Sequence, residues 1–310
     1  MQRLSILVPL RGDLQRFEDT LVSVLENQPE RSEVVVVTNQ PYDDPYDLRR
    51  EVAFVDAPTS ASLLECFAVG LTASRAPIVH LIDAGIEATA GWADPALARF
   101  HDRDVATVAP LIADRFQRQT ILSAGLRYTR AGAITTIAAG KRTDAFRFDD
   151  RVLTAAELGA TFYRREALAE VESIADFGCD RAAAVELALA LQNAGYHSVS
   201  EPGCLVLANR KHFARRGGWR AGVASEQLYR RAAASQDIQQ SRLAHAALVA
   251  TEAIQIPLRP WLLGQLAGRF GAAVGVGSPK GIAIGAQAAA HLTTSSRRTP
   301  PFAPPKSRAA

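Results

Sequence analysis

Apolar residues follow two alternating patterns along the first 111 residues of the chain. Continuous runs, often β-branched as in Glu33 to Thr38, predict strands buried on both faces. Apolar residues at helical spacing predict the helices between them. The predicted strands cover residues 4–9, 33–38, 52–56, 78–82 and 105–111. The predicted helices cover residues 13–27, 61–73 and 94–101. Strands joined by helical crossovers indicate an α/β fold with a mainly parallel central sheet.

The pattern changes in the second part of the chain. Gly125, Gly132 and Gly140 punctuate short β-prone pieces between residues 114 and 150, which predicts hairpins over one sheet edge. A strand over 158–163, a helix over 182–194 and a last strand over 197–207, broken by Pro202, are expected to follow.

Residues beyond 210 predict a helical extension. Helices are expected at about 223–235 and 238–255, followed by an Ala/Gly-rich apolar region over 260–292. Five apolar side chains of that region fall largely on one helical face: Trp261, Leu262, Leu263, Leu266 and Phe270. We therefore expect residues 256–310 either to contact a membrane surface or a protein partner, or to pack back onto the sheet.

These patterns divide the chain into three predicted parts: a main domain over 1–210, a basic loop with C-terminal helices over 211–292, and a disordered Pro-rich tail over 293–310. The net charge of +3 depends on this tail, whose last eighteen residues carry four cations and no acid, so the remainder is at −1. A nucleic-acid-binding surface is therefore not expected.

The cysteines and the search for targeting segments predict where in the cell the protein lies. The three cysteines have no paired spacing, so neither a disulfide framework nor a zinc site is indicated. No signal peptide and no membrane-spanning stretch is recognised. We expect a cytoplasmic protein, or one at the inner face of the membrane.

Candidate chemistry concentrates at the end of the fourth predicted strand. The apolar run 78–82 ends at Asp83, and ligands of open α/β sheets bind beyond the carboxyl ends of the strands. A second candidate is the basic segment 210–220, which contains five cations, no acid and a Gly-Gly pair that predicts a mobile loop.

The order of these pieces resembles the family 2 glycosyltransferases, inverting enzymes with the GT-A fold, over residues 1–210. The resemblance is carried by LSILVPLRGDLQRFEDTLVSVLENQ, HLIDAGIEATAGW, ILSAGLRYTRAG, GATFYRREALAEV and VELALALQNAGYHSVSEPGCLVL. It implies a Rossmann-like nucleotide-diphospho-sugar transferase fold with a C-terminal helical extension. It also implies a nucleotide-sugar donor and a glycan acceptor.

The family's polar positions are mostly replaced here. The usual aspartate after the second strand is Thr38, and the usual asparagine of the next helix is Ala68. The triplet that normally ends in the metal-binding acid reads Asp83-Ala84-Gly85, the catalytic-base position in segment 183–187 is alanine, and the histidine after the last strand is Ala208. The resemblance therefore implies no metal site and no cofactor.

Two hypotheses follow. In the first, the chain is a glycosyltransferase that works without the usual metal: Pro9, Thr38 and Asp83 bind the donor, and Glu186 is the candidate base. Arg215 and Arg216 then stabilise the diphosphate in place of a cation. In the second, the domain is catalytically silent and serves as a binding or scaffolding partner in glycan or cell-envelope biosynthesis. Acids from elsewhere, Asp56, Asp176 or Asp180, are further candidates to complete the site.

Overall fold

A computed structural model describes residues 2–44, 47–147, 149, 153–213, 218–234 and 241–285. The strands are β1 (Leu4–Leu10), β2 (Ser32–Thr38), β3 (Ala53–Asp56), β4 (Ile78–Leu81), β5 (Ile86–Ala88), β6 (Val105–Asp114), β7 (Ile121–Ser123), β8 (Leu126–Tyr128), β9 (Ile134–Thr136), β10 (Phe162–Arg164), β11 (Ser173–Asp176), β12 (His197–Ala208) and β13 (Lys280–Ala283). The helices are α1 (Leu14–Glu26), α2 (Leu63–Ala73), α3 (Ala93–Arg99), α4 (Arg165–Ala169), α5 (Asp180–Asn193), α6 (Arg210–Phe213), α7 (Trp219–Ala234), α8 (Arg242–Ile254) and α9 (Trp261–Ala273).

A central sheet organises the described residues, with strand order β3-β2-β1-β4-β10-β6-β12-β5 and β7 at the side of β6. The first four strands of this order are mutually parallel, and β6 and β12 are parallel as well. The strands β10 and β5 run antiparallel to their neighbours. The prediction of an α/β fold with a mainly parallel sheet is confirmed.

Helices cover both faces of the sheet, which explains the continuous apolar strands. On one face, α2 and α5 bury Phe67 and Leu187 against the sheet. On the other, α1 and α3 enclose Phe17 and the fully buried Trp92. The helices α1 and α2 both begin at polar residues that cap them. Asp13 caps α1, and residues 62–65 form a reciprocal capping box at α2.

Several details depart from the predicted elements. Residues 158–160 form a 3-10 turn, so that only residues 162 and 163 of the expected strand pair in the sheet, and β10 extends to residue 164. The last strand is not interrupted at Pro202 but passes it with a register shift between Glu201 and Leu205. The strands β5, β11 and β13 were not predicted, because each has only three or four residues and depends on a distant pairing partner.

The C-terminal helices α7 and α9 pack against each other at close range. A Cβ at Gly222 of α7 would lie 1.9 Å from the carbonyl oxygen of Gln265 in α9, and one at Gly268 would lie 2.1 Å from that of Trp219. Glycine therefore lets the two helices approach more closely than side chains allow. The strand β13 then pairs with β11. The three-part division of the chain stays a prediction, and its tail, residues 293–310, lies outside the described residues.

Candidate active site

Asp83 lies directly beyond the carboxyl end of β4. The backbone N–H of Ile82 donates to the carbonyl oxygen of Leu7 in β1, and the N–H of Asp83 donates to that of Gly159 at 2.8 Å. A Cβ at Gly159 would lie 2.7 Å from the Cβ of Asp83, so this position accepts no larger residue without displacement. The carboxylate is thus positioned by backbone contacts on two sides.

A tight turn follows Asp83 and explains the glycine at the position of the expected metal-binding acid. The N–H of Ile86 donates to the carbonyl oxygen of Asp83, and Gly85, the third residue of this turn, has φ +93°. Such a turn favours glycine there. The N–H of Gly85 also donates to the hydroxyl of Thr20 on α1 at 2.9 Å. Residue 85 therefore serves the turn, and a side chain there would be strained.

Arg11, which follows β1, is the cation at the centre of the site. Its guanidinium donates to both carboxylate oxygens of Asp83, from Nε at 3.3 Å and from Nη2 at 2.9 Å. Nη2 also contacts the carboxylate of Asp180 at 3.2 Å, at the first residue of α5. The three side chains form what we call the Arg11 triad.

The triad is partly enclosed, and its electrostatics follow from this. The side chains of Arg11 and Asp83 are about a quarter exposed, whereas that of Asp180 is half-exposed. Burial acts to lower the pKa of Arg11, but the charge and hydrogen bonds of Asp83, helped by Asp180, outweigh it and raise that pKa above its ordinary value. Burial also raises the pKa of the adjacent Cys66 thiol to about 12, so this thiol is neutral and is not a nucleophile.

Two donor-binding candidates of the sequence lie on the neighbouring strands. Pro9 is a buried residue of β1 and pairs in register with Val37. Thr38 ends β2, and its hydroxyl donates to the carboxylate of Asp56, at the end of β3, at 2.8 Å. The carboxylate that Thr38 lacks is thereby supplied by the adjacent strand.

Glu186, the candidate base, lies near the middle of α5. Its carboxylate is paired with Arg231 of α7 at 2.8 Å and is largely buried. Since it is six residues from Asp180, it lies roughly 9 Å further along the helix axis. Arg215 and Arg216 lie outside the described residues. Arg210, at the start of the basic segment, pairs with Asp114.

The further acids considered from the sequence have different partners in the structure. Asp180 is brought to Asp83 through Arg11, and Asp56 is brought to Thr38. Asp176 instead ends β11 and accepts the backbone N–H of Gly178, two residues further on. Glu87, four residues after Asp83, belongs to β5, where it pairs with Arg115 at 2.7 Å.

The carboxylate of Asp83 already has a cationic partner from the protein itself, and the absence of a divalent cation at this site stays a prediction. A hard cation needs several oxygen ligands, whereas both oxygens of Asp83 accept from a guanidinium whose charge would repel a metal ion. Gly85 contributes no side-chain oxygen. Within the described ranges no group of three or more His, Cys, Asp or Glu residues is arranged to hold a metal.

A second opening lies away from these residues. It is a cavity of about 520 Å³ between the β7–β9 insertion and β12, lined in part by Leu205, Pro202, Phe146, Arg118 and Arg147. None of the predicted site residues within the described ranges lines it, and the carboxyl ends of β1 to β4 remain the candidate site.

Comparisons with known proteins bear on the fold. Neither the protein-family models nor the curated proteins include a match to this chain. Among solved structures, the chain is similar to GalNAc-T7 with UDP, GalNAc and Mn²⁺, at 15% identity and a TM-score of 0.50, over 67% of this chain and 43% of that one. This chain therefore spans less than half the length of that protein.

Two further structures align with lower scores. A mannosyltransferase, PcManGT from Pyrobaculum calidifontis, in complex with GDP-Man and Mn²⁺, has 19% identity and a TM-score of 0.48, over 95% of this chain and 79% of that one. Residues 1–349 of TarS from S. aureus have 12% identity and a TM-score of 0.46, over 73% and 63%. The chain has a GT-A-like glycosyltransferase fold, as the sequence predicted.

Arg11 is the site residue that sequence reasoning missed. Its position directly after β1 was a usable signal, because side chains that follow parallel strands meet at one edge of the sheet. Its partner Asp180 was recognised only as one of several acids, since nothing in the local pattern shows that α5 begins beside β4.

Proposed function

We propose that this protein transfers a sugar from a nucleotide-sugar donor to a glycan acceptor without a divalent cation. The observation that carries the proposal is the guanidinium of Arg11, held by Asp83 at the sheet edge where α/β folds bind ligands. In the described part of the chain, Nη1 of Arg11 makes no hydrogen bond. It is therefore available to a phosphate oxygen.

The chemistry needs a positive charge at the leaving group. The acceptor hydroxyl oxygen forms a bond to the anomeric carbon while the bond from that carbon to the diphosphate breaks, and the nucleoside diphosphate leaves with the bonding electrons. Guanidinium groups bind phosphate oxygens through strong, charge-assisted hydrogen bonds. Arg11 would supply one such group, with Arg215 and Arg216 of the basic segment adding to it.

The rest of the donor would lie along the neighbouring strand ends. Asp56 and Thr38 present a carboxylate and a hydroxyl beside β1, where a nucleoside would need hydrogen-bond partners for its sugar and base. Pro9 would form the apolar floor. Asp83 would orient both Arg11 and the donor sugar.

The acceptor proton requires a base. Glu186 stays a candidate, although Arg231 is its present partner. The half-exposed Asp180, at the mouth of the site, is the alternative that the geometry adds. Replacement of the true base should lower kcat by roughly 10² to 10⁴. Asp180→Asn and Glu186→Gln should be compared for transfer rate and for nucleotide affinity, because a base variant loses the first and keeps the second.

Calorimetric titration of the full chain with UDP and GDP tests donor binding, once in EDTA and once in Mn²⁺. UDP is a reasonable first probe because the similar GalNAc-T7 contains it. We expect equal affinity in both buffers and a loss of about tenfold or more in Arg11→Gln, the scale of one charged hydrogen bond. Arg16→Gln, an exposed arginine paired with Asp13 on α1, is the matched control and should bind as the wild type does.

A loss of nucleotide affinity in the Arg215→Ala, Arg216→Ala double variant would indicate that the basic segment also contacts the phosphates. Binding that requires Mn²⁺ would contradict the metal-free part of the proposal. If no nucleotide of a full panel binds detectably, the proposal that the protein uses a nucleotide-sugar donor is wrong.

A second candidate function is a catalytically silent domain that binds a partner in glycan or cell-envelope biosynthesis. One observation favours it: the acids nearest the site, Asp83 and Asp180, are both ion-paired with Arg11, and Glu186 is ion-paired with Arg231. A chain that binds no nucleotide in the titrations above, yet retains its fold, would support this function.

We also propose that the protein works in the cytoplasm, at the inner face of the membrane. Among the described residues no helix is both long and apolar enough to cross a bilayer.

A further inference from the structure

Large apolar side chains are exposed mainly in one part of the molecule. Twelve are exposed in the described residues, and eight of these lie between residues 243 and 276, on α8, on α9 and around them. They are Leu243, Ile254, Leu258, Trp261, Leu263, Phe270, Val274 and Val276. We call this the α8–α9 surface. Single exposed apolar residues need no explanation, but a concentration of this kind marks an interaction site.

In α9 two faces are already covered. Glycines 264, 268 and 271 face Gly218 and Trp219, at the start of α7, at close range. On the opposite face Leu262, Leu266 and Arg269 are buried, so that Leu263 and Phe270 are exposed on the flank between these two faces. No residue of α8 is buried, although the helix is rich in alanine and leucine. The exposed apolar side chains of this region therefore do not contribute to the protein's own core.

Charges are arranged differently from those of an ordinary solvated helix pair. The carboxylate of Glu252 accepts hydrogen bonds from Gln265 and Arg269, which joins α8 to α9 and removes both charges from the surface. Between residues 243 and 276, a stretch described throughout, Arg259 is the one exposed charged residue. It lies between Leu258, 83% exposed, and Trp261, 56% exposed, in the connection of the two helices.

The charge of the whole C-terminal region identifies the partner. Residues 241–310 contain eight cations and one acid, a net charge of +7 with histidine neutral, which leaves 27 cations and 31 acids, a net charge of −4, for residues 1–240. Apolar side chains with a tryptophan beside a cation, on a segment of strong positive charge, fit an anionic lipid surface. A protein partner would more often leave a rim of mixed charge around the apolar centre.

We propose that the α8–α9 surface binds the protein peripherally to anionic bilayers. Leu258, Trp261 and Leu263 would insert at the level of the lipid headgroups, and Arg259 would contact the lipid phosphates. The cations of residues 286–310 would add attraction over a Debye length. This binding does not depend on a nucleotide, so it is independent of the sugar-transfer proposal and can fail or succeed separately.

Co-sedimentation of the full chain with vesicles tests this proposal. Vesicles of phosphatidylcholine with about 30% phosphatidylserine should retain the protein, and pure phosphatidylcholine should retain much less, because each cation near an anionic surface adds attraction. Raising the salt from about 0.1 to 0.5 M should release the protein in part. Leu258→Ser with Trp261→Ser should lower the partition coefficient at least about tenfold, since two apolar side chains no longer insert.

Val22→Ser with Phe116→Ser is the matched control, because both residues are exposed but lie outside the α8–α9 surface. It should bind vesicles as the wild type does. Three results would overturn the proposal: no binding to anionic vesicles, equal binding to neutral ones, or equal loss in the control. A dimer in light scattering that the Leu258, Trp261 variant abolishes, without vesicle binding, would assign the surface to a second copy of the chain instead.

Discussion

The sheet domain and the C-terminal helices place apolar and charged side chains in opposite ways. In the domain of residues 1–210, Phe17, Phe67 and Trp92 are fully buried, and the Arg11 triad lies at the open end of the sheet. In α7 to α9, the guanidinium of Arg269 is buried between acids while Trp261 and Leu258 are exposed. This difference shows that burial within the chain accounts for the large apolar residues of the domain but not for those exposed on α8 and α9, although Ala224 and Leu228 of α7 do join the domain core.

The largest effect is expected at Arg269. Arg269→Met leaves Glu252 and Glu226 without their buried cation, and loss of one partner of a buried pair costs about 3–5 kcal/mol. Urea unfolding measures this loss. Arg142→Met is the control, because both side chains of its pair with Asp144 are exposed and its loss should leave stability nearly unchanged. Equal, small losses at both positions would show that the helices do not depend on a charged interior.

For the sheet domain, the prediction concerns how the free energy of unfolding depends on pH through His80. Its ring is packed between Phe162 and Trp92, with centroids 3.9 and 4.8 Å away, and burial lowers its pKa from 6.5 to about 3. Between about pH 3 and pH 6.5 the His80 imidazole is therefore neutral in the folded protein and protonated in the unfolded protein, so that unfolding takes up a proton. The free energy of unfolding should fall as the pH drops below 6.5, by up to about 1.4 kcal/mol per pH unit, or about 2 kcal/mol at pH 5.

His80→Phe should remove this part of the pH dependence of the unfolding free energy, since phenylalanine takes up no proton. The exposed His101 offers a control, and His101→Asn should retain the wild-type profile. A steep acid loss that persists in His80→Phe would assign the pH dependence to other groups.

Gly222 tests the close helix contact. In most helices a Gly→Ala substitution stabilises by about 1 kcal/mol. Here the added Cβ meets the backbone of α9 at 1.9 Å, so we expect Gly222→Ala to destabilise by about 1–3 kcal/mol in thermal or urea unfolding. The exposed Arg220→Ala on the same helix should stay within about 0.5 kcal/mol. A stabilised Gly222→Ala protein would contradict the close approach of α7 and α9.

The smallest effect is expected at the cap of α2. The hydroxyl of Ser62 accepts the N–H of Glu65, whose carboxylate accepts the N–H of Ser62. Ser62→Ala should cost about 1 kcal/mol, and Ser62→Asp should retain most of the stability because its carboxylate can cap the same N–H. An unchanged midpoint in Ser62→Ala would show that the cap adds nothing to the sheet domain.

Local patterns predicted the first half of the fold well, because each element there carries its own signal. The run 33–38 is apolar on both faces and becomes a central strand, and Asp13 and Ser62 begin helices where their side chains can cap them. The short strand β13 could not be predicted. Its four residues form a strand only because β11 lies beside them, more than a hundred residues away in the chain.

The candidate site shows the same limit more sharply. The sequence by itself determined the parallel sheet, the acid at the end of its fourth strand and the glycine two residues later. A buried strand requires apolar residues and this turn requires glycine, and both requirements can be recognised from neighbouring residues in the chain. The tertiary structure alone decided that Arg11 joins Asp83 to Asp180, across 72 and 169 residues of chain. Electrostatic pairing depends on distance in space, and only the packing of α5 against the sheet sets that distance.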